Sequence, residues 1–104
     1  MREYSLVITT TPSKKEAKEL AKLILEKRFA ACIQINKIDS FYYWEEKIEK
    51  SKEYRVLIKT KSAIFEKLKI FIEENHSYDT PQIVEIFIDD ANSDYLEWID
   101  DALK

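Results

Sequence analysis

From Tyr4 to Thr10 the chain alternates, with Tyr4, Leu6 and Ile8 on one side and Ser5, Val7 and Thr9 on the other. That is the period of a β-strand. Thr11-Pro12-Ser13 breaks it, and Ser13 followed by Glu16 has the spacing of a helix N-terminal capping box. Ala17, Leu20, Ala21, Ile24 and Leu25 then recur at helical spacing between lysines and glutamates. A second strand is expected from Ala30, with Ala31, Ile33 and Ile35 opposing Cys32 and Gln34 and a bend at Asn36-Lys37. The aromatic run Phe41-Tyr42-Tyr43-Trp44 favours extended backbone, and Glu45-Glu46 marks a reversal. Lys47-Ile48-Glu49 and Tyr54 to Thr60 return as the other arm of a long hairpin, with Tyr54, Val56 and Ile58 opposing Arg55, Leu57 and Lys59.

Ile64, Leu68, Phe71 and Ile72 predict a second helix ending near Asn75. The segment from His76 to Pro81 reads as a loop, because Pro81 drives Thr80 toward extended backbone. A strand over Gln82 to Asp89 follows, then a helix capped by Asn92 or Ser93 and carrying Leu96, Ile99 and Leu103, with Tyr95 and Trp98 beside them. The order β-α-β-β-α-β plus a terminal helix predicts an α+β, ferredoxin-like sandwich with an extended hairpin between its second and third strands. Its two main helices would cover one face of an antiparallel sheet. The open face is expected to hold Val7, Cys32, Leu57, Ile83 and Phe87 among Ser5, Thr9, Gln34, Arg55, Lys59 and Glu85. Such a face is too apolar to be left in water, so a second layer supplied by other copies of the chain is expected.

With 104 residues, 45% of them hydrophobic, the chain has one core, and residues 1–104 form a single domain. Its 17 basic and 20 acidic residues leave a net charge of −3, which argues against a nucleic-acid surface. No apolar run is long enough to span a membrane. There is no glycine, which removes every glycine-dependent phosphate cradle and the glycine-turn nucleophile elbow, so an enzyme is not expected. One Cys and one His exclude an intramolecular disulfide and a multi-histidine zinc site within one chain. The lone thiol, and an N-terminus that enters a strand without a signal-like segment, point to the cytoplasm. The Lys, Glu and Ile bias is that of a heat-adapted, thermostable protein.

The ordered strings Ala30-Ala31-Cys32, Phe41 through Glu49, Ile58-Lys59-Thr60, His76 through Ile83 and Asp94 through Ile99 resemble the CutA family of divalent-cation tolerance proteins over almost the whole chain. The resemblance implies a tight homotrimer, similar in plan to the PII signalling proteins, with sheets inside and helices outside. It also implies a role in tolerance of copper and other divalent cations through weak metal binding or signalling, with no obligatory cofactor. Five positions depart from the family pattern. Ser77 stands for Pro, Asp79 for Glu, and Glu46 for the Gly of the reversal. Thr9 and Asn75 stand where members with a proposed copper site carry Cys and a second His.

His76, Cys32 and Asp79 are the metal-ligand candidates. A histidine and a thiolate would suit copper; the competing readings, which the residues favour, are a histidine that fixes its loop and a cysteine that packs as a small apolar strand residue. Tyr78, Lys59, Trp44, Glu85 and Arg55 are candidates for a small-ligand site between subunits, the plan of a PII-like regulatory module. Lys59 is expected to pair with a carboxylate, either Glu85 on its own face or Asp79 of a neighbour. Tyr42, Tyr43, Trp44, Leu57, Phe87 and Trp98 are expected at the interface. The expected partners are therefore sister chains and a divalent metal such as Cu, without nucleic acid or membrane.

Overall fold

A computed structural model describes residues 2–104. Strand β1 (Tyr4–Thr11) leads into helix α1 (Lys14–Glu26), and β2 (Cys32–Trp44) and β3 (Lys47–Lys61) form the hairpin. A single 3-10 turn, Ser62–Ile64, enters α2 (Phe65–Glu74), followed by β4 (Val84–Ile88) and α3 (Ser93–Ala102). The four strands form one sheet in the order β2-β3-β1-β4, every pair antiparallel, as the ferredoxin-like arrangement requires. β2 runs unbroken through Asn36-Lys37, where a bend was expected, and β4 is shorter than the strand expected over Gln82 to Asp89.

Ser13 caps α1 by accepting the Glu16 amide at 3.1 Å. The helix ends in a Schellman arrangement, with Arg28 N–H donating to Leu25 and Phe29 N–H to Ile24. Arg28 takes φ 58° there, and Glu45 and Glu46 take φ 51° and 64° at the hairpin tip. All three occupy the left-handed region without glycine, each at about 1 kcal/mol. The departure at Glu46 is therefore a strained turn with the two positive φ values of type I′.

Residues directly opposite in an antiparallel ladder share a face, so the register decides which side chains lie together. Val7 opposes Ile58 and Thr9 opposes Val56, while Ile58 and Val56 oppose Ile33 and Ile35 of β2. This face packs under α1 and α2 with Ala17, Leu20, Ile24, Leu68 and Ile72 as the main core. Ser5 and Val7 in turn oppose Phe87 and Glu85 on β4.

The expected open face is correct for β2 and β3 and inverted for β1 and β4. Cys32, Gln34, Arg55, Leu57 and Lys59 do lie on it, but their β1 and β4 neighbours are Tyr4, Leu6, Ile8, Val84, Ile86 and Ile88. Ser5, Val7, Thr9, Ile83, Glu85 and Phe87 belong to the helix side, Ile83 packing against the core and Phe87 partly exposed beneath the Arg2 guanidinium. On β1 and β4 the more polar phase, with Ser5, Thr9 and Glu85, is the one that faces the helices, and the hydroxyls of Ser5 and Thr9 are fully buried there, so reading the more polar phase as the open side inverts both strands. The correction makes the open face more hydrophobic than expected.

Helix α3 covers one end of that face. Tyr4 O–H donates to the Asp100 carboxylate at 3.0 Å, and Lys61 pairs with Asp100 at 3.2 Å. Lys59 places its ammonium 5.2 Å from the Tyr95 ring centroid, and Arg28 donates to the Ala102 carbonyl at 3.0 Å. Ile99 is fully buried, whereas Trp98 stacks on Tyr95 with its outer face in solvent. Toward the hairpin no helix covers this face among the described residues. There Leu6, Ile8 and Leu57 are half-buried and Val84 and Ile86 are 44% and 48% exposed.

Candidate functional site

The loop after α2 is pinned by its histidine. Tyr78 N–H donates to His76 Nδ1 at 3.0 Å, which makes Nδ1 the acceptor nitrogen. His76 Nε2 therefore carries the proton and donates to the Thr10 carbonyl at 2.7 Å. The side chain is 0% exposed, and its Nδ1 lies 3.7 Å from Glu16. Glu16 also accepts the Ser77 amide at 3.1 Å, joining the start of α1 to the loop. With both ring nitrogens engaged, His76 has no lone pair to offer a metal in this arrangement.

Fixing the loop places Tyr78 against the hairpin, where its hydroxyl donates to Glu53 Oε2 at 2.9 Å. Between loop and hairpin lies a cleft of about 960 Å³ lined by Thr10, Tyr42, Trp44, Glu45, Glu49, Glu53, Ser77, Tyr78, Asp79, Thr80 and Gln82. Thr10, Tyr42, Glu49 and Glu53 follow the same strand phase as Arg55 and Leu57, so the cleft continues the uncovered side of the sheet. Four of its residues are carboxylates and none is basic. Glu53 is 7% exposed, and among the described residues no cation pairs with any of the four.

Burial, followed by the hydrogen bond to Glu53 and its negative charge, pushes the Tyr78 phenol up to about 12. A raised phenol adds stability that is complete below the free-phenol value of 10.0 and is lost as pH climbs through about 12. The Tyr78→Phe protein should consequently lose less stability across that alkaline window than the unaltered chain, measured by urea denaturation at stepped pH. Tyr4, pushed up to about 12 by burial and by Asp100, should still titrate in the variant.

The structure brings Tyr78, Asp79 and Trp44 together and leaves the other candidates apart. Cys32 opposes Lys59 while Thr10, which holds His76, opposes Arg55. Those rows are four residues apart on β3, roughly 13 Å. Among the described residues no three His, Cys, Asp or Glu side chains are grouped to hold a metal. Arg55 donates to Asn36 at 3.3 Å. Glu85 accepts from Ser5 at 2.7 Å on the far side of the sheet from Lys59, so the expected pairing of these two does not form within the chain. Reading the residues missed Glu53, Glu49 and Glu16, although the glutamates at 49 and 53 share a strand face with Tyr42.

A family model described as "CutA1 divalent ion tolerance protein" matches residues 5–102. The divalent-cation tolerance protein CutA of Pyrococcus horikoshii is 40% identical over 99 residues, covering 95% of this chain and 97% of that one. Its counterpart in Archaeoglobus fulgidus is 39% identical over 101 residues, covering 97% and 99%. The solved structure described as the periplasmic divalent cation tolerance protein CutA of Archaeoglobus fulgidus superposes with a TM-score of 0.94, covering 97% of this chain and 99% of that one.

Proposed function

The chain belongs to the CutA1 divalent ion tolerance family, and from that premise we propose that it works as a homotrimer in copper and divalent-cation tolerance, capturing ions weakly in the acidic cleft. The observation that carries this reading is the set of carboxylates Glu45, Glu49, Glu53 and Asp79, which line one cleft without a paired cation. Oxygen donors that do not converge attract hydrated divalent ions without enclosing them, so capture is weak and reversible. His76 and Cys32 do not join this donor set within one chain. We read a binding protein and not an enzyme, since Tyr78 is held neutral and Cys32 lies outside the cleft. The free thiol fits a reducing compartment such as the cytoplasm, whereas the Archaeoglobus relative is described as periplasmic.

Equilibrium dialysis against Cu(II) tests the reading. Exchanging both Glu49→Gln and Asp79→Asn should weaken binding several-fold, and Cys32→Ser should leave it unchanged. Binding abolished by Cys32→Ser would move the site to a thiol shared between subunits and overturn the cleft assignment.

A second reading has its own observation. Tyr42, Trp44 and Tyr78 add three aromatic rings to a cleft of the size that holds a small molecule. That favours a PII-like regulatory module in which cleft occupancy is the signal and a neighbouring copy, seated on the uncovered face, closes the wall.

A further inference from the structure

We propose that His76 is an acid-operated latch, in which a proton taken up at Nδ1 frees the loop from Ser77 to Thr80 and draws Tyr78 away from Glu53. Every group involved belongs to one chain, and the side chain is already 0% exposed there, so the device does not depend on how copies assemble. Its consequence for what the cleft holds rests on the reading of that cleft as a binding site. The latch itself rests only on the contacts around the ring.

Neutral His76 spends both nitrogens on backbone groups. Nε2–H donates to the Thr10 carbonyl at 2.7 Å, and Nδ1 accepts the Tyr78 amide at 3.0 Å. A proton delivered from water takes the Nδ1 lone pair and makes that nitrogen a donor, while Nε2 keeps its hydrogen and its bond to Thr10. Two N–H groups then point at each other across 3.0 Å, and the Tyr78 amide must turn away or remain a buried donor without an acceptor. A new partner for the imidazolium is already in place. Glu16 Oε2 lies 3.7 Å from Nδ1 and accepts the Ser77 amide at 3.1 Å. Closing that gap gives a charge-assisted bond, so one proton disturbs the acceptors of two consecutive loop amides.

The surrounding charges set which way the ring tips. Glu16 in the first turn of α1 favours the imidazolium, as do the C-terminal carbonyls of α2, which ends at Glu74 two residues before the ring. β1 offers the Thr10 carbonyl and no charged side chain. In the loop, the Tyr78 ring packs 5.0 Å away with its phenol protonated, and Asp79 follows it. Glu53 of β3 reaches the loop through the Tyr78 hydroxyl. Against the cation stand burial and the Tyr78 amide, whose bond exists only with unprotonated Nδ1. Opposed influences on one buried imidazole make a two-state element. The far end of the loop carries the change to the cleft. Glu53 is 7% exposed and receives its hydrogen bond from Tyr78, so withdrawal of the phenol sends that carboxylate into water and opens the wall.

His76 is the chain's one histidine, so its ring signal in an NMR titration of the full-length protein from about pH 8 to about pH 5 identifies itself. The Tyr78 amide is followed in the same samples by its chemical shift and its hydrogen-exchange protection. Ring and amide are expected to change at one shared midpoint, with amide protection falling at least tenfold on the acid side. His76→Gln, which offers a donor and an acceptor but does not titrate, should abolish the amide step. Glu16→Gln, which keeps an acceptor for Ser77 without the charge, should move the midpoint about one unit lower. Tyr78→Phe, which removes the Glu53 bond that opening has to break, should move it higher. A ring that titrates while the Tyr78 amide stays protected, a ring that does not titrate in this range, or a midpoint blind to both Glu16→Gln and Tyr78→Phe would overturn the proposal. Cu(II) dialysis above and below the midpoint keeps latch and cleft apart. Coincident titration with no Cu(II) captured at either pH removes the cleft as an ion site and leaves the latch standing.

Discussion

Light scattering is expected to report a mass near three chains for the unaltered protein and a single chain for an Ile86→Glu protein. Ile86 lies on the uncovered face beside Leu6, with Val84 next to Ile8, and these two β4 side chains are 48% and 44% exposed on an edge strand. A fully buried aliphatic side chain contributes about 1.5–3 kcal/mol, so covering Val84, Ile86 and the half-buried Leu6, Ile8 and Leu57 supplies several kcal/mol per chain to association. A glutamate in that layer reverses the sign, because an unpaired charge leaves water for an apolar contact. Trimer surviving the substitution would show that the copies do not meet here, and single chains before substitution would remove the assembly altogether.

Exchanging His76→Ala should lower unfolding stability by about 3 kcal/mol or more, as read by urea denaturation. Two backbone groups depend on the ring, the Thr10 carbonyl and the Tyr78 amide, and the ring packs 5.0 Å from that of Tyr78. Each buried group left without a partner costs about 1–3 kcal/mol, and the lost ring volume adds to this. His76→Gln, whose amide has both a donor and an acceptor, should recover part of the loss. An alanine variant as stable as the parent would mean that the loop is held by Glu16 and Ser77 instead.

Those two cases mark how far the amino-acid order could be read. Element order, the Ser13 cap and the hairpin follow from periodicity and turn chemistry, and all are present. Facing was legible only where the more apolar strand phase is the one that packs under the helices. β3 sets Arg55 and Lys59 against Val56 and Ile58 and faces as that contrast dictates, but on β1 the phase of Leu6 and Ile8 turns away from the helices while Ser5, Val7 and Thr9 turn toward them. Only the register with β3 settles that facing, and register is a tertiary property. The site was half legible for a similar reason. Tyr78, Asp79 and Trp44 sit in marked segments, whereas Glu53 looks like any hairpin glutamate until the loop folds a tyrosine onto it. The role of His76 depended on which nitrogen the Tyr78 amide selects, a choice that only folded geometry makes.

Arg28, Glu45 and Glu46 hold positive φ in a chain that contains no glycine. Glycine at any of these corners would relax the native backbone, and it would also multiply the shapes open to the denatured polymer. The two effects oppose each other, so tension kept at three points is partly offset by a denatured ensemble that is narrow along its whole length. Resistance to unfolding in this protein thus comes partly from impoverishing the disordered alternative.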